Sequence, residues 1–133
     1  MFAAFSDPKK KRQWFAGGHS QDVEEFTMDF RVGGIERMRS RMSDKTPFPG
    51  VILATEGTYL EIAPGRRIVQ AGYMTLGERR ISAAMVTIEL LPTATGTDLI
   101  CTRQGAFFEG SDGPKMREEG WRKLFDNLAT ELG

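Results

Sequence analysis

The chain has 133 residues, 40% hydrophobic and 27% charged, and its 18 Lys plus Arg balance 18 Asp plus Glu. That length suits one domain, residues 1–133, able to bury roughly two-thirds of the surface its unfolded chain exposes. The charge balance excludes a global field drawing it to nucleic acid or anionic membrane. No apolar run approaches the ~20 residues of a spanning helix, and the single Cys101 rules out an internal disulfide and suits a reducing cytoplasm.

Met1 to Phe5 reads as the last turns of a helix. Ser6-Asp7-Pro8 then supplies an N-cap and a first-turn proline for a short helix from about Pro8 to Phe15, stopped at Gly17-Gly18. Lys9-Lys10-Lys11-Arg12 in that helix reads as a solvated basic face, since nucleic-acid binding would want a wider basic stripe with interleaved aromatics. His19, the only histidine, falls in a Gly-rich loop and is expected to be solvated. It leaves no zinc set and no nucleophilic triad.

Strands are predicted near 23–32, 35–42, 51–62, 67–75, 79–91 and 97–104. The separators carry turn chemistry: Gly33-Gly34, the Asp44 to Gly50 stretch, Pro64-Gly65, Gly77-Glu78, and Thr93 to Gly96. Links this short make an antiparallel meander.

The first hairpin carries the sharpest signal. Phe26, Met28, Phe30 and Val32 alternate with Glu25, Thr27, Asp29 and Arg31, which marks a half-buried strand. A three-residue loop would set Asp29 against Arg37 and Glu25 against Arg41 on the outer face. It would set Phe30 against Glu36, Met28 against Met38 and Phe26 against Ser40 on the inner face. Glu36 then points inward among apolar groups, so it is either partnered or functional.

A loop from Ala106 to Gly113 exposes Phe107-Phe108. They form a lid, a dimer contact, or a loop anchored by one ring. Pro114 opens the last helix, with an apolar stripe at Trp121, Leu124, Phe125, Leu128 and Leu132. Gly120 inside it is read as permitting close approach to the sheet. That helix is the only element long enough to cover the sheet. The fold class is therefore α+β of helix-grip arrangement: about six curved antiparallel strands, two short N-terminal helices and a long C-terminal helix, with a natural cavity between sheet and helix.

These residues resemble a known family. Phe2-Ala3-Ala4-Phe5-Ser6-Asp7-Pro8, Trp14-Phe15, Asp29-Phe30-Arg31-Val32-Gly33-Gly34, Gly57-Thr58-Tyr59, Arg67-Ile68-Val69, Gly96-Thr97-Asp98-Leu99, Gln104-Gly105 and Gly120-Trp121 are similar to the SRPBCC/START-like superfamily. More narrowly they resemble the AHSA-like family, named for the activator of a heat-shock-protein ATPase. The resemblance implies a helix-grip fold with a hydrophobic cavity, and no established reaction. Such proteins usually begin with a β-strand before the helix that ends here at Phe5, and this sequence lacks it: either the start is truncated, or the sheet has an exposed edge, which invites pairing with another chain, for example as a homodimer.

The expected function is binding of a small apolar or amphipathic molecule between sheet and C-terminal helix, without cofactor or metal and with no nucleic-acid or membrane partner. Candidate ligand-binding residues are Trp14, Phe30, Glu36, Met38, Tyr59, Tyr73, Met85, Gln104, Phe107 and Trp121. For Trp14 and Trp121 the alternative is ordinary core. Cys101 is expected to pack as a small hydrophobe. Two other readings stay open: an enzyme of the cyclase or hydrolase kind with Glu36 as acid/base, and a stimulator of a heat-shock ATPase in a stress response.

Overall fold

Two short helices open the chain. α1 (Ala3–Ser6) ends where Asp7 turns extended, and Asp7 caps α2 (Pro8–Phe15), its carboxylate accepting the Lys9 N–H at 2.9 Å with Pro8 in the first turn. The structure is a computed structural model that describes residues 1–16, 21–44 and 46–133. The readings placed on Gly17-Gly18 and His19 lie outside the described residues.

Six strands follow: β1 (Gln21–Met28), β2 (Ile35–Met42), β3 (Ile52–Ala63), β4 (Arg67–Leu76), β5 (Arg79–Pro92) and β6 (Thr97–Phe107). They pair antiparallel in chain order, as their short links require. The last helix, α3 (Gly113–Leu132), runs 20 residues. This is the α+β helix-grip arrangement. β6 reaches Phe107, so the expected loop begins only at Phe108.

The first hairpin keeps the expected faces but not the expected partners. Met28 pairs with Glu36, Phe26 with Met38, Thr27 with Arg37 and Glu25 with Arg39, a shift of two residues. Asp29–Arg37 and Glu25–Arg41 are therefore not formed; Arg37 bonds Glu56, Arg41 bonds Glu24, and Asp29 holds Arg31 at 2.7 Å. β1 stops at Met28 because residues 29–34 form a turn anchored from outside the hairpin. Gly33 donates to the Tyr59 carbonyl at 2.8 Å, and Tyr59 donates to Gly34 at 3.0 Å. Gly33 has φ +87°, and a Cβ on Gly34 would lie 2.0 Å from the Asp29 carbonyl oxygen. Both positions therefore require glycine.

The concave face is set by alternation along each strand. Tyr59, Ile68, Ile88 and Leu90 point inward and join Ala4, Phe5, Trp14 and Leu128 in the buried core. A line of small residues crosses this face next to Glu36: Gly57, Gly72, Ala84 and Gly105, each opposite the next. A Cβ on Gly72 would stand 1.9 Å from the Glu56 carbonyl oxygen, so β3 and β4 approach as closely as they do only without it. Gly72→Ala is expected to cost about 2–3 kcal/mol through forced displacement of β3. Thermal unfolding checks this, and a variant melting with the unaltered protein would contradict the close approach.

On α3, Leu124 and Phe125 pack against the core and Leu128 is buried. The expected stripe ends there: Leu132 is 48% exposed. Gly120 is also exposed, with open space where a side chain would be, so close approach to the sheet is not its role.

Candidate functional site

Glu36 is buried on β2, and its position is explained by two donors. Lys11 Nζ donates to Glu36 Oε1 at 2.6 Å, and the Tyr59 hydroxyl donates to the same oxygen at 2.7 Å. Lys11 and Glu36 are only 5% and 7% exposed, and Tyr59 is 1%. Burial, and then the Glu36 charge, push the Tyr59 hydroxyl well above its ordinary value, so it stays a protonated donor. Lys11 also lies over the Phe15 ring, 4.8 Å from its centroid. The basic run is thus a solvated face at Lys9, Lys10 and Arg12, but not at Lys11. The missed signal is positional: Lys11, Trp14 and Phe15 are spaced i, i+3, i+4 on one helix face.

Aromatic rings close this centre. The Trp14 indole donates to the Ala4 carbonyl at 2.9 Å, and its ring meets Phe5 edge-on at 5.1 Å. Phe30, in the turn, contacts Tyr59 at 5.0 Å and Phe2 at 5.8 Å. The void left among Lys11, Trp14, Phe30, Tyr59, Gln70 and Trp121 measures about 10 Å³. That is room for one water molecule at most.

The larger hollow lies elsewhere. Between β6 and α3 an open groove of about 550 Å³ is lined by Leu99, Cys101, Phe107, Trp121 and Phe125, with Arg103 and Arg117 among them. Trp121 is the wall between groove and void. Two guanidiniums lie over the Phe107 ring, Arg103 at 5.6 Å and Arg117 at 5.1 Å from its centroid. Arg117 is 6% exposed and well satisfied: it forms two bonds to Asp112, at 2.6 and 2.8 Å, and one to the fully buried Ser82 at 3.0 Å. Burial alone would raise the Asp112 carboxyl, but the Arg117 bonds outweigh it and hold it below its ordinary range. Arg103 is different. Burial, and then the nearby Arg117 charge, push its guanidinium below the ordinary value, outweighing the opposing pull of Asp112, which Arg117 already holds, and of Cys101. Burial raises the Cys101 thiol.

The remaining candidates divide by face. Met38 is buried on the concave side beside Glu36. Tyr73, Met85 and Gln104 lie on the convex face. There the Tyr73 hydroxyl donates to Glu56 at 2.5 Å, Arg80 stacks 3.9 Å from the Tyr73 ring, and Met85 and Gln104 are exposed. Of the ten candidates, then, Phe107 and Trp121 line the groove, Trp14, Phe30 and Tyr59 line the void with Trp121, and Glu36 and Met38 sit in the core. No group of three His, Cys, Asp or Glu that could hold a metal occurs among the described residues. Nor is any helix among them long and apolar enough to cross a membrane.

A helix-grip domain with a partnered buried acid and an open groove of aromatic, aliphatic and charged side chains beside its closing helix is the class these features define. The sequence model of the Activator of Hsp90 ATPase homolog 1-like protein family matches residues 1–133, and the chain belongs to that family. Among solved structures it is similar to the Mll3558 protein from Rhizobium loti, at 40% identity and TM-score 0.84, covering 98% of this chain and 85% of that one. An uncharacterized protein from Rhizobium leguminosarum is similar at 36% identity and TM-score 0.90, covering 98% and 83%. The AHSA1-like protein from Aeromonas hydrophila, at 19% identity and TM-score 0.65 with coverage of 98% and 81%, shares the fold. No curated protein gives a significant match.

Proposed function

We propose that this protein binds a small apolar or amphipathic molecule in the groove between β6 and α3. The groove itself carries the reading: about 550 Å³ walled by Leu99, Cys101, Phe107, Trp121 and Phe125. Ligand sites have this size and this lining, with a few polar groups to set orientation. Arg103 would receive the polar or anionic end, because a negative group there offsets the Arg117 charge it now faces. A cytoplasmic location fits a lone, half-buried thiol.

Neither alternative draws on a feature of this kind. Acid/base chemistry at Glu36 would need room for a substrate, and the adjoining void takes a water at most. Stimulation of a heat-shock ATPase rests on the family description alone; ATPase turnover measured with and without the protein decides it.

A fluorescent apolar anion, 1-anilinonaphthalene-8-sulfonate, tests the groove. It is expected to bind the unaltered protein with enhanced emission. Leu99→Trp, which fills the groove from a half-buried position, is expected to weaken binding at least about tenfold, or about 1.4 kcal/mol, with the circular dichroism unchanged. Equal binding by both proteins would refute the location, and no binding by the unaltered protein would refute the function.

A further inference from the structure

The inward positions of β4 are Ile68, Gln70, Gly72 and Met74, by the alternation that buries Ile68. Gln70 is the one among them with a hydrogen-bonding side chain. Its cross-strand neighbours are Tyr59 on β3 and Val86 on β5, which both belong to the core packing. Gly57 leaves the amide its place: Gln70 Nε2 lies 3.6 Å from where a Cβ on Gly57 would stand. Gly57 in turn pairs with Glu36, so the amide sits next to the Glu36 centre. An inward amide left without partners is costly.

The Gln70 amide makes no hydrogen bond with another group among the described residues. Yet among those residues no fully buried side-chain nitrogen or oxygen lacks a partner. The amide therefore borders space that a water can reach, and the space it lines is the void of about 10 Å³. Two further polar groups line the same void. The Lys11 ammonium has three N–H donors, of which Glu36 takes one. The Tyr59 hydroxyl donates to Glu36 and keeps lone pairs to accept with. The rest of the wall is apolar, with Phe5, Trp14, Phe30 and Val86 among it.

We propose that this void is a binding site for one ordered water, which bridges the Lys11 ammonium and the Gln70 amide. The water accepts from Lys11 Nζ and donates to Gln70 Oε1. An interior water needs two to four polar partners and about this much space, and the site supplies both. Glu36, Tyr59, Lys11, the water and Gln70 then form one hydrogen-bonded network across α2, β2, β3 and β4. Its effect is on the ion pair. A buried pair is tolerated when its remaining protons are also bonded, and the water satisfies a Lys11 proton that Glu36 does not take. A polar residue at an inward position of β4 is explained in the same step. The groove between β6 and α3 has no part in this site, so the two are tested separately.

A high-resolution crystal structure of the unaltered protein tests this directly. It is expected to show a water oxygen within about 3.2 Å of both Lys11 Nζ and the Gln70 amide. In solution, the Gln70 side-chain amide protons are expected to show magnetisation exchange with water, of the sign that marks a long-lived interior molecule. Gln70→Leu, close in size and without polar atoms, is expected to lose the water while Lys11 stays bonded to Glu36. A dry void in the unaltered protein overturns the proposal, and that result stands whether or not the variant folds. A water that keeps its place in Gln70→Leu overturns the bridge, because Lys11 and Tyr59 then hold it alone.

Discussion

Lys11→Met is expected to lower the stability of this domain by about 3–5 kcal/mol, because it leaves a buried carboxylate with one donor where it had two. Glu36→Leu is expected to cost a similar amount for the opposite reason. It strands the Lys11 ammonium and removes the acceptor of the Tyr59 hydroxyl, both in the interior. The decisive variant carries both changes. With neither charge present, the penalty of an unpaired buried ion disappears, and the double variant is expected to lose much less than the two single losses added. Adding Tyr59→Phe removes the last unsatisfied hydroxyl and recovers more. Denaturant unfolding of the unaltered protein, the two single variants and the double variant measures the coupling directly. Single losses that simply add would mean that the ammonium and carboxylate do not interact in solution, and that Glu36 faces water.

Arg117→Met is the second large effect, expected to cost about 2–4 kcal/mol. Arg117 ties the start of α3 to Asp112 and reaches across to Ser82 on β5. Without it the Ser82 hydroxyl loses its donor in a site with no access to water. A pH signature accompanies the loss. The folded Asp112 carboxyl lies below its ordinary value of 3.8, so its contribution is complete above that value and disappears as pH falls through it toward the folded value. The unaltered protein is therefore expected to lose stability on that acid limb, and Arg117→Met to show a shallower slope over the same range. Equal slopes in the two proteins would contradict the assigned pairing.

Lys11 and Arg117 also show where sequence reading stops. Each is a charged residue on the apolar stripe of its helix: Lys11 with Trp14 and Phe15, Arg117 with Trp121, Leu124 and Leu128. Position on the stripe decides burial in both cases, while residue type in a basic run or in Met116-Arg117-Glu118-Glu119 points to solvent. Glu36 was legible because alternation in the first hairpin fixes its face with Phe26, Met28 and Met38. Its partners were not legible, since they come from α2 and β3, 25 and 23 residues away.

The two-residue shift in the hairpin has a similar origin. The Asp29–Gly34 turn is held by the Tyr59 backbone on β3, a contact that local pairing rules do not contain. In β3 to β6 the concave face was obscured by two effects. Bulges after Tyr59 and Met74 break the alternation. Gly57, Gly72, Ala84 and Gly105 also remove the apolar side chains that would have marked the inner face. Tyr73, Met85 and Gln104 therefore read as plausible lining from the sequence and lie on the convex side. The antiparallel order, the two opening helices and the closing helix needed only turn chemistry and helical spacing, so they were readable throughout.

Nuclear magnetic resonance mapping of the isotope-labelled protein, titrated with a medium-chain fatty acid, examines the ligand site most directly. Shift changes are expected at Leu99, Cys101, Arg103, Phe107 and Trp121, with Lys11, Glu36 and Tyr59 undisturbed. Changes centred on Glu36, or none anywhere at saturating ligand, would contradict a binding groove between β6 and α3.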